Sequence, residues 1–346
     1  MSPQTICYSG FVGGPRSMGR VGQELLLHLI QRPHYQTLFH PWANDYMDGY
    51  WEPEIEKVVV RDPTAHAVDQ WITFCSVVDS ALKGHGKRQT PWFFYELSTL
   101  PPDIVTDLNA KDHIYLTSSF VLEVFKDQGV KVPMSVLGHG YDPGVYRFRQ
   151  RSKDGIFTFL AVAEHTPRKN LPALIRCFQA AFAATDKVRL VLKLGLHGEG
   201  DLAQFIERPE QVQLRAECFD EETELADLYY DANCFVLPTR AEGFGMPMLE
   251  AMATGLPVIT TNYGGHLDFC SEQNAYLIEN SGLVESDPEC FPYIESYWAD
   301  PSEEHLIHLL REVYENYDLA LEKGRRGADL IAADWTWDKQ LARAFP

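Results

Sequence analysis

Two glutamates in the segment 236–261 stand where their side chains could bind a ligand rich in hydroxyl groups. Glu242 follows an apolar run, and Glu250 lies in a helix that the sequence predicts to begin at Pro247. The N-terminus of such a helix presents backbone N–H groups and the positive end of the helix dipole, which favour an anion or a dense set of sugar oxygens. Each carboxylate can accept hydrogen bonds from two hydroxyls, as on a hexose or a ribose. The two residues therefore predict a site for a sugar-containing ligand.

Glycine and proline residues around these glutamates predict the local structure that carries them. Pro238 ends an apolar strand, and the glycines within 243–245 allow the backbone to approach a ligand closely. Pro247 suits the first turn of a helix, while Gly255 and Pro257 are typical of residues that follow a helix. The segment therefore indicates a strand, a loop, a short helix, a turn and a second strand. A surface turn with incidental acidic residues is the alternative.

Two adjacent cations form a second candidate site. Arg168 and Lys169 follow the predicted strand 156–163 and precede a predicted helix over 171–184, for which Asn170 is a suitable N-cap. Arginine offers a planar fork of donors and lysine a point charge, so the pair could neutralise a diphosphate. A solvated helix N-terminus without a ligand is the alternative interpretation.

A glycine-rich loop at 9–24 follows the first predicted strand and leads into a predicted helix that reaches residue 30. Its spacing does not match the G-x-G-x-x-G pattern of dinucleotide-binding folds, and no acidic residue stands where such a fold requires one after its second strand. A dehydrogenase of that type is therefore disfavoured. A flexible turn remains open as the role of this loop.

The elements that would position these residues alternate between strands and helices in both halves of the chain. Such alternation is typical of parallel sheets covered by helices, in which ligands bind beyond the carboxyl ends of the strands. The length of 346 residues suits two doubly wound domains, and a polar, turn-rich stretch at 141–154 indicates a boundary near residue 150. The remaining strands are predicted at 5–9, 57–61, 91–95, 113–118, 134–137, 189–194, 212–216, 234–238 and 258–261, and further helices at 64–82 and 223–232.

Charge and composition disfavour several classes of partner. The chain carries 30 basic and 49 acidic residues, which gives a formal charge of −19 that repels nucleic acid and anionic lipid. No apolar run approaches the roughly 20 residues that span a bilayer, and the first ten residues do not resemble a signal peptide. The seven cysteines are widely spaced, which favours reduced thiols and a cytoplasmic location. The twelve histidines form no metal-binding motif, so we expect no metal site.

The spacing of Glu242 and Glu250, with Gly243, Phe244 and Gly245 between them, resembles the E-x7-E motif of retaining glycosyltransferase family 4, the glycosyl transferases group 1. The residues 261–265 fit the same family. The resemblance implies a GT-B fold, in which two Rossmann-like α/β domains face a central cleft. It implies an acceptor domain over 1–150, a nucleotide-sugar donor domain over 151–325, and a C-terminal helix over 326–346 that returns to the first domain.

The resemblance also implies a role for each matched residue. Glu242 and the amides of Gly243 to Gly245, with Met246, would meet the donor sugar, and Glu250 would meet the ribose. Lys169 and Arg168 would hold the diphosphate, although Glu164 stands where many members of the family carry an arginine. Three further groups would lie around the donor and the acceptor: the loop glycines Gly13, Gly14 and Gly19 over the diphosphate, Glu217 and Phe219 at the base, and Glu96 and His139 on the acceptor side.

From this resemblance we expect an enzyme that moves a hexosyl-type sugar from a nucleotide-diphosphate sugar to an acceptor hydroxyl, with retention and without a metal or other cofactor. A UDP- or GDP-linked donor and a carbohydrate or other hydroxyl acceptor are the expected partners, and an oligomer is left open. A nucleotide-sugar-binding subunit without turnover is the alternative, because Glu164 departs from the family pattern. An epimerase or a phosphorylase on the same fold is a further alternative.

Overall fold

The structure is a computed structural model, and it describes residues 3–13, 17–42, 51–76, 84–195, 199–217, 222–288 and 294–346. The chain divides into two compact units. Unit 1 comprises Met1–Tyr95, Leu100–Gly140 and Trp337–Pro346, and unit 2 comprises Glu96–Thr99 and Tyr141–Thr336. Each unit is built on a parallel β-sheet with helices, which confirms the predicted class of two Rossmann-like domains.

Unit 1 is a parallel sheet whose central strands are buried on both faces. Its strands run in the order β2-β1-β3-β5-β6-β7, with the short β4 paired beside β3. The apolar runs in β1 and β3 are covered on both sides, as is usual in parallel sheets. The strands are β1 (Gln4–Gly10), β2 (Tyr35–Pro41), β3 (Gln70–Ser76), β4 (Arg88–Gln89), β5 (Trp92–Phe94), β6 (Ile114–Leu116) and β7 (Met134–Val136), and the helices are α1 (Ser17–Ile30), α2 (Pro53–Glu56), α3 (Pro102–Leu108) and α4 (Ser119–Asp127).

Unit 2 contains the second parallel sheet and the two sequence motifs. Its first strands and helices are β8 (Phe157–Val162), α5 (Leu171–Ala181), β9 (Val188–Lys193), α6 (Glu199–Leu202), β10 (Val212–Arg215), α7 (Glu222–Asp231), β11 (Cys234–Leu237), α8 (Met246–Ala253), β12 (Val258–Thr261) and β13 (Tyr276–Ile278). These six strands run in the order β10-β9-β8-β11-β12-β13. Counted from β8, this is the doubly wound order 3-2-1-4-5-6, whose ligand site lies where the order reverses, between the first and fourth strands.

The rest of unit 2 is a hairpin and two long helices. The hairpin pairs β14 (Asn280–Glu285) with β15 (Tyr297–Pro301) in an antiparallel ladder, and Trp298 on β15 is fully buried. The helices are α9 (Glu303–Glu315), which Ser302 caps, and α10 (Tyr317–Asp334). A last short helix, α11 (Trp337–Leu341), belongs to unit 1.

The borders of the units differ from the borders expected at residues 150 and 326. Residues after Tyr141 pack on unit 2, where the Arg151 guanidinium donates to the carbonyl oxygens of Tyr229, Ala232 and Thr254. Helix α10 continues to Asp334 within unit 2, so that only residues from Trp337 onward join unit 1.

Two predicted elements of the N-terminal half are wrong. The predicted strand at 57–61 forms only a single bridge, between Val59 and Phe39, and the chain then turns at Pro63 into a short 3-10 helix. The predicted helix at 64–82 is replaced over Gln70–Ser76 by strand β3. Because this central strand is buried on both faces, its continuous apolar run cannot be told from a buried helix by periodicity.

Candidate functional site

The strongest candidate site lies where the strand order of unit 2 reverses. Lys169 follows β8 and Glu242 follows β11, which are neighbouring strands of the sheet. The Lys169 Nζ atom lies 2.6 Å from Glu242 Oε1. Lys169 is 8% exposed and Glu242 is 4% exposed, so the two charges are paired out of water. The sheet thus brings together the two motifs that the sequence places 73 residues apart.

Arg168 extends this pair into a row of four alternating charges. Its guanidinium lies 3.3 Å from Glu242 Oε2 and 2.8 Å from Glu96 Oε1, and it donates to the Ala241 carbonyl at 2.7 Å. The backbone supports the arrangement, because the Arg240 N–H donates to the Arg168 carbonyl at 2.8 Å. Two cations therefore face two carboxylates, in the order Glu96, Arg168, Glu242, Lys169. We call this row the charge cluster.

The cations keep Glu242 ionised in spite of its burial. Burial alone would raise the pKa of this carboxyl, but Lys169 and Arg168 outweigh it and lower the pKa to about 2. Burial and the neighbouring Arg168 charge lower the pKa of Lys169, while Glu242 opposes that shift. The buried pair therefore consists of a firmly held carboxylate and an ammonium group with little access to water.

Glu250, the second glutamate of the motif, lies in helix α8. Its carboxylate is 3% exposed, and its Oε2 atom accepts a hydrogen bond of 2.7 Å from the Tyr229 hydroxyl of helix α7. The residue preceding α8, Gly245, has φ of +101°, a conformation that favours glycine. An added Cβ at Gly245 would lie 2.9 Å from the Cβ of His266. The backbone at the start of α8 therefore lies close to His266, and the predicted approach of these glycines to a ligand stays a prediction.

The loop after β12 packs against the backbone of Glu242. The Gly265 N–H donates to the Glu242 carbonyl at 2.8 Å, and an added Cβ at Gly264 would lie 3.1 Å from two Glu242 backbone atoms. His266 is fully buried, and its Nε2 atom lies 2.7 Å from the Thr261 carbonyl. Since a carbonyl only accepts, Nε2 carries the proton and the ring is held as one neutral tautomer. Burial lowers the pKa of His266, although the hydrogen bond to Thr261 opposes that shift.

Glu96 is held in unit 2 by contacts with the β14–β15 hairpin. Its carbonyl accepts a hydrogen bond of 3.0 Å from the indole Nε1 of Trp298. Two residues on, the Ser98 N–H donates to Ser296 Oγ at 2.8 Å. The hairpin thus fixes the backbone of the short segment whose carboxylate meets Arg168.

His139 and Glu217, two further residues predicted for the site, have neighbours of their own within their units. His139 lies in unit 1 against the rings of Phe74, Trp92 and Trp337, where burial lowers its pKa to about 3, and its acceptor role stays a prediction. The Glu217 carboxylate pairs with Arg215 at 2.5 Å at the end of β10.

Two glycines of the glycine-rich loop of unit 1, Gly13 and Gly19, lie against each other. Gly13 donates to the Gly19 carbonyl at 3.0 Å, and an added Cβ at Gly19 would overlap the Gly13 carbonyl oxygen. The predicted contacts of Gly14 and Phe219 lie outside the described residues.

Three residues of this site were not identified from the sequence. Tyr229 sits in a predicted helix among acidic residues, His266 directly follows the segment 261–265, and Trp298 lies between the last predicted strand and the predicted C-terminal helix. Only the position of His266, next to two glycines after a strand, gave a local signal. Tyr229 and Trp298 reach the site through tertiary packing.

None of the helices in the described part of the chain combines the length and the apolar composition that a membrane span requires.

Part of the chain matches known sugar-transferring proteins in sequence. The model of the family described as glycosyl transferases group 1 matches residues 156–290. The O-antigen chain mannosyltransferase B of Escherichia coli is 34% identical over 106 residues, which is 30% of this chain and 28% of that protein. The sulfoquinovosyl transferase of Arabidopsis thaliana is 31% identical over 122 residues, 34% of this chain and 23% of that protein. The chain thus aligns with less than a third of each of these relatives.

Solved structures match the chain over almost its whole length. Anabaena HepE, in a complex with UDP and glucose, is 15% identical with a TM-score of 0.71, and the match covers 99% of both chains. Sucrose-phosphate synthase from Thermosynechococcus elongatus is 14% identical with a TM-score of 0.72, covering 98% of this chain and 97% of that chain. Residues 156–290 of the chain are thus similar to the glycosyl transferases group 1, and the chain has the fold of the solved GT-B glycosyltransferases.

Proposed function

We propose that this protein is a retaining glycosyltransferase that moves a hexosyl-type sugar from a nucleotide-diphosphate sugar to an acceptor hydroxyl. The observation that carries the proposal is the charge cluster, which joins Lys169 and Arg168 to Glu242 at the reversal point of the unit 2 sheet. The relatives named above transfer sugars, and HepE binds UDP and glucose. Retention is proposed from the family resemblance.

In the proposed reaction, the two cations stabilise the leaving diphosphate. Negative charge develops on the phosphate oxygen as the glycosidic bond breaks, and preorganised cations in a water-poor site stabilise that charge strongly. Lys169 is buried and already ordered by Glu242, so little reorganisation accompanies the reaction. The N-terminus of α8 would add its dipole.

The two glutamates would hold different parts of the donor. Glu242 stays ionised and would accept hydrogen bonds from the transferred sugar, next to the anomeric carbon that gains positive character. Glu250, ordered by Tyr229, would accept from the ribose. Backbone groups of the turn before α8 and of the first residue of α8 would contact the sugar or the phosphates; these residues are Gly243, Phe244, Gly245 and Met246. Glu217 would lie near the base.

We propose that the reaction needs no metal or other cofactor, because Lys169 and Arg168 supply the positive charge that a divalent ion would supply elsewhere. A UDP- or GDP-linked sugar is the proposed donor. We also propose a cytoplasmic location and an acceptor that offers a hydroxyl group.

A thermal-shift screen with UDP-, GDP-, ADP- and TDP-sugars tests the donor assignment. Binding to the folded state raises its stability by RT ln(1+[L]/Kd), about 3 kcal/mol at a hundredfold excess over Kd. We expect the sugars of one nucleotide to raise the melting temperature. We also expect slow transfer of the sugar to water, with release of the nucleoside diphosphate, at the same rate in excess EDTA. Activity that EDTA abolishes and Mg²⁺ or Mn²⁺ restores would refute the proposed role of the cations.

A nucleotide-sugar-binding subunit without turnover is the second candidate. Glu164 favours it, because this acidic side chain follows β8 where many relatives carry an arginine, and its carboxylate lies against Gly195 at the end of β9. A carboxylate at that position would repel a bound diphosphate and so weaken its binding. Donor binding without release of nucleoside diphosphate, with every candidate acceptor, would favour this alternative.

A further inference from the structure

Unit 2 contains a cavity between the segment 144–149 and helix α7, which we call the α7 cavity. Its volume is about 440 Å³, within the roughly 300–1,000 Å³ found for small-molecule sites. The consecutive residues 147–149 line it from the segment, and Thr223, Asp227 and Tyr230 line it from α7. None of these described lining residues is among those proposed to bind the donor. The α7 cavity is therefore a candidate for a second ligand site.

Hydrogen bonds hold the backbone of this segment against α7 and against the end of α8. The Arg147 N–H donates to the Tyr230 hydroxyl at 2.8 Å, and that hydroxyl donates to the Val145 carbonyl at 2.6 Å. The Arg149 N–H donates to the carbonyl of Thr254, the residue that ends α8, at 3.1 Å. Because Tyr230 belongs to α7, these bonds fix the two walls of the cavity relative to each other. The cavity is therefore formed by the fold itself, and a ligand would enter a preorganised site.

The segment side of the cavity carries two solvent-exposed arginines that form no ion pair. In the part of the chain that the structure describes, the guanidinium groups of Arg147 and Arg149 neither pair with a carboxylate nor donate a hydrogen bond. The Arg149 guanidinium lies over the Tyr230 ring, 4.1 Å from the ring centroid. This stacking uses the flat face of the group and leaves the N–H groups at its edge to donate. In a chain with a formal charge of −19, two such cations in one cavity indicate a local site for an anion.

The α7 side of the cavity supplies groups of a different kind. Thr223 and Asp227 lie one turn apart on this helix, and both line the cavity and are exposed to solvent. The Asp227 carboxylate can accept hydrogen bonds from hydroxyl groups, and the Thr223 hydroxyl can both donate and accept. Because the carboxylate would repel a second anionic group, a ligand should carry its negative charge at one end only. The cavity is therefore matched to a molecule with one anionic group and several hydroxyls.

We propose that the α7 cavity binds the phosphate monoester of a polyol, with the phosphate on Arg147 and Arg149 and the hydroxyls on Thr223 and Asp227. A phosphate monoester carries up to about two negative charges and three acceptor oxygens, which two guanidinium forks match better than they match a singly charged carboxylate. Phe148, which is 44% exposed, offers apolar surface to the C–H groups of the polyol. This site does not depend on the proposed transferase activity.

Calorimetric titration of the full chain with small phosphates tests the proposal. The probes are sorbitol 6-phosphate and ribose 5-phosphate, compared with sorbitol, ribose and inorganic phosphate. We expect both phosphorylated polyols to bind, and we expect inorganic phosphate and the uncharged polyols to bind at least tenfold more weakly. Arg147→Gln removes a guanidinium that the fold does not use, and it should raise the Kd of the phosphorylated polyols by about tenfold or more, as for one lost hydrogen bond to a charged group.

Arg176→Gln is the matched control, because Arg176 is a half-exposed arginine of the same unit that pairs with Glu303 and does not line the cavity. It removes the same charge and should leave the Kd unchanged. Asp227→Ala is a second variant on the other wall. It should remove the preference for phosphorylated polyols over inorganic phosphate without weakening the binding of inorganic phosphate itself.

The proposal would be overturned if neither phosphorylated polyol bound, or if inorganic phosphate bound equally well, which would leave an adventitious ion only. An unchanged Kd in Arg147→Gln, or an equal loss of affinity in Arg176→Gln, would also overturn it. Weaker binding in Arg168→Ala together with an unchanged Kd in Arg147→Gln would assign the phosphorylated polyols to the proposed donor site instead. Failure of the wild-type protein to bind any nucleotide sugar contradicts the proposed function alone, so the two failures are distinguishable.

Discussion

At the scale of single residues, the site is defined by charges that depend on one another. The charge cluster alternates in sign along the row Glu96, Arg168, Glu242 and Lys169. Each of the two central residues, Arg168 and Glu242, contacts both of its neighbours in the row. Removing one member of a buried pair leaves its partner charged and uncompensated, which costs far more than the pair itself contributes. Substitutions here therefore act on stability as well as on chemistry, and conservative changes are the most informative.

Lys169→Ala should lower kcat by about 100-fold or more, because the buried ammonium group is proposed to stabilise the leaving diphosphate. Lys169→Arg should restore only part of the activity, since the planar guanidinium does not fit a site shaped for a compact charge. Arg168→Ala should have a milder effect. Steady-state kinetics on folded variants check this order. A larger loss in Arg168→Ala would mean that Arg168 is the principal contact of the diphosphate.

The stability of the protein should depend on the ionisation of Glu242. Its pKa is about 2 in the folded state and near 4.5 when unperturbed, so the carboxylate stabilises the fold above about pH 4.5 and loses this contribution as the pH falls towards 2. Urea unfolding of wild type and Glu242→Gln between pH 7 and pH 3 measures the effect. The difference in unfolding free energy should be constant above about pH 5 and should shrink below it. A difference that grows on acidification would contradict an ionised Glu242.

The two glutamates should separate in their effects on rate and on binding. Interactions that strengthen in the transition state appear in kcat, whereas uniform binding appears in affinity. Glu242→Gln should lower kcat sharply and leave the affinity for the nucleoside diphosphate nearly unchanged. Glu250→Gln should weaken that affinity by roughly 1–3 kcal/mol, as for a lost charged hydrogen bond. Calorimetry with the nucleoside diphosphate checks this, and the reverse pattern would mean that the donor binds in the opposite orientation.

At the scale of elements, the site depends on how α8 begins. Gly245 adopts a left-handed conformation directly before this helix, and the space beside its Cα is filled by His266. The start of the helix, which carries the proposed anion site, is therefore fixed by a residue without a side chain.

Gly245→Ala should destabilise the protein and weaken nucleotide binding, because both backbone strain and a clash with His266 would displace the helix start. Strain at such a position costs on the order of 1–3 kcal/mol. Gly129→Ala is the matched control, since Gly129 has φ of +90° but an added Cβ would meet no atom within 4 Å. Thermal melts and nucleotide titrations of both variants check this. Equal melting temperatures and unchanged nucleotide affinity in both would show that the contact with His266 does not matter.

The sequence predicted the elements of unit 2 well because its motifs are local. Strand β11, the glycine turn and helix α8 follow one another within one segment. Pro247 and Gly255 were sufficient to predict where the helix begins and ends. Unit 1 was harder, since β3 is buried on both faces and its run QWITFCS lacks the alternation that identifies a strand. The β14–β15 hairpin was missed because β14 is largely exposed and polar, and the hydrogen bond from Trp298 on β15 to the Glu96 carbonyl is a tertiary contact.

At the scale of the whole molecule, the chain passes between the two compact units more than once. Residues 96–99 belong to unit 2 although they lie between segments of unit 1, and 337–346 return to unit 1 after the whole of unit 2. Within unit 1, the last residues are held by His28, whose Nε2 lies 2.8 Å from the Phe345 carbonyl. Because each compact unit is assembled from segments that are distant in sequence, the borders of the units differ from the borders that were predicted from local polarity.

The anomeric configuration of the product tests the central claim most directly. The protein would be incubated with the α-linked nucleotide sugar selected by thermal shift, a methyl hexopyranoside as acceptor and excess EDTA, and the anomeric protons followed by NMR. We predict stoichiometric release of nucleoside diphosphate and a new α-linked glycoside, with no free sugar epimer. A β-linked product would contradict retention, and bound donor without any release would contradict glycosyl transfer itself.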